Sequence, residues 1–326
     1  MVLEKREAAD HCIPPLNNTC SSKSGTPTVI LIKTLLYCIT VLTVMLNLLV
    51  IISISHFRKL HTPTNLILLS LAVSDLLVGL TVMPFPGFAV YFCRPWSKIT
   101  CALSYLLSFI LTSASVGNMV LISVDRYVAI CYPLHYSTMI TPNRVNVCVS
   151  LCWFCSVVYN FIILKNNLSN IDLSNSCHQD CTVIINYISG AVDLVLTFFG
   201  PVTVIILMYM RVFVVAVSQA RVTRSQISAV ESNITVKKSE LRAARTLGII
   251  LFVFILCLCP YYSFSLVGQD NLSESSSAQI WLFYCNSSFN PLIYAFFYPW
   301  FRKAVKLIVT LQILQPGSHV ANIMSR

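Results

Sequence analysis

Cys101-Ala102-Leu103-Ser104-Tyr105-Leu106-Leu107-Ser108-Phe109-Ile110-Leu111-Thr112-Ser113-Ala114-Ser115 opens an apolar run that ends in Ser123-Val124-Asp125-Arg126-Tyr127-Val128-Ala129. At 1.5 Å per residue, Cys101 and Arg126 stand roughly 37 Å apart on one helix, about a membrane thickness. One element therefore carries a covalent tether at one face, small polar residues midway (Ser108, Thr112, Ser113, Ser115) and an acid–base pair at the other. That layout suits a helix that passes a change from one face to the other. An Asp-Arg pair by itself also reads as an ordinary interfacial ion pair.

Working outward, the whole chain has the composition of an integral membrane protein. Of its 326 residues, 56% are hydrophobic and only 10% charged, against about 25% charged in a soluble domain. The net charge of +10 follows from membrane topology. No basic stripe with interleaved aromatics is present, so nucleic acid is not an expected partner. Seven runs are long and apolar enough to span, at 29–54, 65–90, 99–124, 145–164, 183–217, 246–268 and 278–298. The fifth exceeds what a bilayer needs, so its inner end is expected to project into the cytosol. Prolines 84, 86, 201, 260 and 291 lie inside spans, where each removes a backbone hydrogen bond and kinks its helix.

The loops set the orientation. The side holding 55–64, 125–144, 218–245 and the C-terminal tail carries 15 of the 22 Lys and Arg residues, counting Arg211. The positive-inside rule then puts the N-terminus outside and the C-terminus in the cytosol. The first 27 residues lack the early apolar core of a cleaved signal peptide, so the first span is expected to act as an uncleaved anchor. Sequons at Asn17, Asn167 and Asn271 fall on the outer side and Asn233 on the inner. After the last span, Trp300-Phe301-Arg302-Lys303-Ala304-Val305-Lys306-Leu307-Ile308 reads as a short amphipathic helix on the inner leaflet. The expected organisation is 1–28 extracellular, 29–298 membrane bundle, and 299–326 amphipathic helix and cytoplasmic tail. The fold class is an all-α membrane protein, a seven-helix bundle with a short eighth helix.

No catalytic signature is present: there is no HExxH, Walker A, GxSxG or Gly-rich dinucleotide turn. Seven of the 14 cysteines, including the Cys152-Trp153-Phe154-Cys155 pair, lie inside apolar runs and read as small packing residues. Cys12, Cys20, Cys177, Cys181 and Cys101 stand in polar stretches or at a helix start and are disulfide candidates. Cys177-His178-Gln179-Asp180-Cys181 reads as disulfide cysteines ahead of a metal site. No internal repeat or inverted symmetry points to a transporter.

Polar residues at membrane depth carry the functional signal, because each is costly there. Asp75 lies midway along the second run, with Asn47, Ser115, Asn286, Ser287 and Asn290 at similar depth. Their hard oxygens suit Na⁺, with Asp75, Ser115, Asn286 and Asn290 as ligands, or a water-filled polar network. Asp193 is the second intramembrane acid, about two turns before Pro201, and no Lys or Arg matches its depth. It is protonated, bonded to Tyr or Ser hydroxyls, or partnered by a ligand cation. Phe109, Tyr261, Tyr262, Trp281 and Tyr284 are candidates for the same cavity, with Ser108, Thr112 and Thr197 as polar contacts. A carboxylate among aromatic faces binds an ammonium by charge and cation–π attraction; singly, each aromatic reads equally as packing.

These residues together resemble the class A, rhodopsin-like G-protein-coupled receptors. The matching motifs are Leu71-Ala72-Val73-Ser74-Asp75, Asp125-Arg126-Tyr127, Trp153, Pro201 with Tyr209, Phe254-Ile255-Leu256-Cys257-Leu258-Cys259-Pro260-Tyr261 and Asn290-Pro291-Leu292-Ile293-Tyr294. Within that class the stretch from Asn286 to Phe301 and the Ala243-Ala244-Arg245-Thr246-Leu247 entry to span six are similar to the trace amine-associated receptors. The resemblance implies disulfides Cys101–Cys181 and Cys20–Cys177. It implies that Arg126 pairs with Asp125 and Glu240 at rest and releases to admit a stimulatory G protein near Tyr127, Pro133 and Leu134, raising cAMP. It also implies the plasma membrane and an olfactory setting. The chain departs from the pattern at Ser108, where aminergic receptors carry an Asp, and at Leu258, where a Trp is usual. A fish-expanded branch of the family looks similar, with the acid moved to the place of Asp193, and a single pocket acid favours monoamines over diamines. The rival reading is a class A receptor for a non-amine ligand with Asp193 structural.

Overall fold

Apolar helices pack by burying what few polar groups they carry, and this chain does so around its third span. The computed structural model describes residues 27–84, 98–168, 171–173, 181–183, 187–225, 248–249, 251–262 and 273–320. Each expected span appears there as a helix. These are α1 (Pro27–His56), α2 (Pro63–Leu77), α3 (Lys98–Cys131), α4 (Pro142–Leu168), α5 (Tyr187–Asp193, Leu194–Phe199 and Gly200–Ser225), α6 (Leu251–Tyr262) and α7 (Ser273–Phe297). The first five are long and apolar enough to cross a membrane by length and composition. α3 packs against α2, α4 and α5, and α1 against α2 and α7. Their outward residues, among them Leu31, Phe154, Phe161, Phe213 and Phe296, are exposed; in a bilayer these meet lipid.

Three differences from the expected spans have physical causes. α3 runs past the expected span bound at 124 to Cys131, and Asp125-Arg126-Tyr127 sit on the same helix as Cys101, as expected; Asp125 and Arg126 are buried. Ahead of Pro84, residues Val78–Val82 adopt a π turn in which Met83 N–H donates to the Val78 carbonyl at 3.0 Å. Ahead of Pro201, Leu194–Phe199 do the same, with Gly200 N–H reaching the Val195 carbonyl. A proline removes one donor, and the wider register lets neighbouring carbonyls find others. Gly200 suits this spot, since a Cβ there would stand 3.1 Å from that carbonyl oxygen. The third difference is a small antiparallel hairpin, β1 (Ile171–Leu173) and β2 (Cys181–Val183), with Leu173 opposite Cys181. Val183, expected to open the fifth span, therefore closes a strand.

The ends of α1 and α7 are tied together by the C-terminal segment. α8 (Pro299–Val309) buries Trp300, Phe301 and Ala304 and leaves Arg302 and Lys306 outside. That is the amphipathic helix expected from the sequence. Arg302 donates to the Ala295 and Phe296 carbonyls at 3.1 and 2.7 Å, closing the open end of α7. Beyond Leu311, in the left-handed region at φ 57°, the chain turns back. His56 Nε2 and Ser318 Oγ then stand 2.9 Å apart.

Candidate functional site

Asp193 lies on α5 directly before its π turn and is buried. Tyr159 on α4 donates its hydroxyl to Asp193 Oδ1 at 3.2 Å. Thr197 donates to the Asp193 carbonyl and shares a 2.9 Å hydrogen bond with the Tyr262 hydroxyl. Because the Thr197 proton goes to the carbonyl, Tyr262 is the donor in that second bond. Of the partners considered for this carboxylate, a hydroxyl is the one present. A hydroxyl donates to a carboxyl in either charge state, so this bond supplies no counter-charge. Among the described residues the one ion pair is Asp125–Arg126, far along the bundle.

From Asp193 a chain of side chains crosses to the other wall. Tyr262 stacks on Phe198 at 4.7 Å and meets Tyr261 edge-on at 5.2 Å. Tyr261 lies 5.0 Å from Phe283, which meets Tyr284 at 5.5 Å. The Tyr284 hydroxyl and Ser108 Oγ are 2.7 Å apart, joining α7 to α3. Trp281 and Tyr284 pack against the Val78, Val82, Met83 and Leu111 cluster. Phe109 and Thr112, within one turn of Ser108 on α3, are half-buried. The structure thus joins Asp193, Thr197, Tyr261, Tyr262, Tyr284 and Ser108 into one connected wall. Tyr159, Phe198 and Phe283 belong to it too and were not expected. The one sequence signal for the first is polar Ser156, one turn before it on α4.

Deeper in, Asp75 is fully buried and accepts from Asn290 Nδ2 at 2.8 Å. Asp75 Oδ1, Asn286 Oδ1 and Asn290 Oδ1 have no partner among the described residues. Ser115 donates to Ser74 at 3.0 Å, and Asn47 to the Ser287 carbonyl at 2.9 Å. Asn118, one turn past Ser115, is fully buried with both amide atoms unpartnered among the described residues; the sequence reading passed over it. Hard, bare oxygens around a carboxylate fit a cation such as Na⁺. The described residues hold no group of three or more His, Cys, Asp or Glu suited to a metal, so that donor set is amide and hydroxyl oxygen with one acid.

At the α8 end of the bundle Asp125 is saturated. Arg126 donates from Nε at 2.9 Å and also from Nη2, Thr64 donates at 2.8 Å, and Tyr136 donates to Oδ1 at 2.8 Å. Arg126 Nη2 also reaches Thr64. Tyr136 lies on a one-turn helix (Tyr136–Met139) between α3 and α4. Burial, and next the Asp125 charge, push its phenol up to about 12, so it is a donor at any physiological pH. Glu240 lies outside the described residues. Buried Tyr209 and Tyr294 hydroxyls point into the bundle without partners among those residues. Pro133 and Leu134 stand exposed at the mouth, Leu134 by 89%. Leu258 is buried in the main core beside Phe254, so the place of the usual Trp is filled by aliphatic packing. Cys101 is disulfide-bonded. Cys20, Cys177, Asn17 and Asn271, and the side chains of Cys181 and Asn167, lie outside the described set.

The chain matches the 7 transmembrane receptor (rhodopsin family) over residues 46–294. It is 37% identical to trace amine-associated receptor 13c of Danio rerio, over 99% of this chain and 98% of that receptor. It is 37% identical to trace amine-associated receptor 7e of Mus musculus, over 97% and 92%, and 35% identical to receptor 9 of the same organism, over 96% and 94%. These are receptors and not enzymes, and they are multi-pass membrane proteins that act through a G protein. The apolar bundle, the Asp125–Arg126 cluster and these likenesses agree: the chain belongs to the rhodopsin-like seven-transmembrane receptors and, within them, to the trace amine-associated receptors.

Proposed function

We propose that this chain is an olfactory-type receptor for small protonated amines that signals through a stimulatory G protein to raise cAMP. The observation that carries the reading is Asp193, a buried carboxylate with a hydroxyl partner and no cationic one among the described residues, set in a wall of aromatic rings. The ammonium pairs with Asp193, and the body of the amine lies among Phe109, Thr112, Tyr261 and Tyr284, with Tyr262, Trp281, Thr197 and Ser108 at its edges. The names of the relatives support an amine as ligand. The charge count of the loops supports an outer N-terminus and an inner C-terminus at the plasma membrane. Cys101–Cys181 and Cys20–Cys177 tether the outer loops, and Asn17, Asn167 and Asn271 carry glycans. Na⁺ sits at Asp75, Asn286 and Asn290, with Ser115 behind. On activation α5 and α6 part, Arg126 leaves Asp125 and Glu240, and the G protein seats near Pro133 and Leu134, with Tyr209, Pro291 and Tyr294 moving between.

The test is a cAMP reporter in cells displaying the chain, challenged with primary, secondary and tertiary amines and with neutral isosteres. Amines alone are expected to respond, and Asp193→Ala is expected to abolish the response with surface display unchanged. A response retained by that variant would make Asp193 a structural partner of Tyr159 and overturn the pairing.

A further inference from the structure

Asn160 follows Tyr159 on α4 and is 0% exposed. Its Nδ2 donates to the Phe109 carbonyl at 3.3 Å, to Ser113 Oγ at 2.9 Å and to the Ser156 carbonyl at 2.8 Å. Two of those acceptors are backbone carbonyls, which never donate, so the amide has one workable orientation: nitrogen toward them, oxygen away. That oxygen has no partner among the described residues. A buried acceptor left bare is costly and calls for a donor, a water or a ligand N–H. Consecutive residues on a helix point about 100° apart. Tyr159 reaches α5 at Asp193, and Asn160 reaches α3 at Phe109 and Ser113. The bare oxygen therefore shares a helical turn with the hydroxyl that holds the pocket carboxylate.

We propose that Asn160 contacts the ligand, its Oδ1 accepting an N–H from the ammonium paired with Asp193, and that this second acceptor selects primary amines. The proposal rests on the amine reading above. A primary ammonium has three N–H donors, enough for the carboxylate and the amide oxygen together. A tertiary ammonium has one; once that meets Asp193, the amide oxygen faces methyl groups and stays bare. Sequence alone passes over Asn160, because an asparagine in an apolar span reads as a helix-packing contact.

The test uses the full-length chain in cells, read with a panel of G-protein dissociation sensors so that no particular G protein is presupposed. The probes are 2-phenylethylamine and 3-methylbutylamine, each with its N-methyl and N,N-dimethyl derivative. The wild type is expected to favour each primary amine over its dimethyl derivative by at least about tenfold in EC50, the size of one charge-assisted hydrogen bond. Asn160→Ala is expected to erase that preference, weakening the primary amines about tenfold and leaving the dimethyl amines within about threefold. Asn160→Asp, which keeps an acceptor and loses the donors to Phe109 and Ser156, is expected to keep it. A wild type without the preference overturns the proposal while the amine reading stands. A uniform loss across all six probes in Asn160→Ala also overturns it, since that is what a purely structural amide would give. A wild type silent to every probe at verified surface display overturns the amine reading and this proposal with it.

Discussion

Ser108 and Asp193 hold the two ends of one wall, and on the proposed amine reading the difference between them sets what the pocket recognises. Ser108 meets the Tyr284 hydroxyl at 2.7 Å, a neutral pair where a carboxylate would make a second cation site. Replacing Ser108 with Asp is expected to add that site. The variant gains a response to 1,5-diaminopentane at concentrations about tenfold below those the wild type needs, and holds its response to monoamines within about threefold, as a charge-assisted contact predicts. Dose–response curves for the two amine classes check this. Tyr159 acts on the same charge from the side. Tyr159→Phe removes the 3.2 Å donor to Oδ1 and is expected to weaken amine responses about tenfold, without changing responses to forskolin applied directly to the cyclase. Asp193 was legible in the sequence because an acid at membrane depth stands out against apolar neighbours. Tyr159 was not, because tyrosine is at home in a membrane helix, and its role depends on α4 and α5 being neighbours.

Elements fit by small residues at crossing points and by how they absorb prolines. At Gly117 a Cβ would come within 2.2 Å of Cys152 Sγ, so α3 and α4 touch there through the absence of a side chain. Gly117→Ala is expected to destabilise the bundle by about 1–3 kcal/mol, the range of overpacking in a filled core. The variant unfolds at lower temperature in detergent, and Cys152→Ala added to it restores most of the loss. A double variant no better than the single would show the strain lies elsewhere. Neither contact partner was readable beforehand. Cys152 reads in the sequence as a small packing residue, and only the crossing of two helices pairs it with Gly117. The π turns before Pro84 and Pro201 tell the same story. The sequence locates the missing donor, but whether the helix bends or widens depends on its neighbours. The turn before Pro201 matters most, since it begins at Asp193 and sets the direction in which the carboxylate points.

Across the whole molecule, the spans, the amphipathic α8 and the family were all legible, because apolar length and motif spacing are local properties of a sequence. The polar interior was legible only as a set of depths. Asp75 and Asn290 come from helices 215 positions apart in the chain, and no periodicity says that they meet. Their bare oxygens, with Asn286, lie between the aromatic wall and the Asp125–Arg126 cluster, so a cation there would bias the bundle as a unit. If Na⁺ binds the resting packing more tightly than the opened one, it stabilises the former by mass action. Purified protein is then expected to unfold at a higher temperature in NaCl than in choline chloride at equal ionic strength. Asp75→Asn is expected to remove the difference while keeping the side chain's shape and its reach to Asn290. Equal ionic strength matters, because general screening acts alike in both salts and leaves only the specific ion to separate them. Equal unfolding temperatures in the wild type would instead assign the cluster to water, and the cation would drop out of the account of how the two ends communicate.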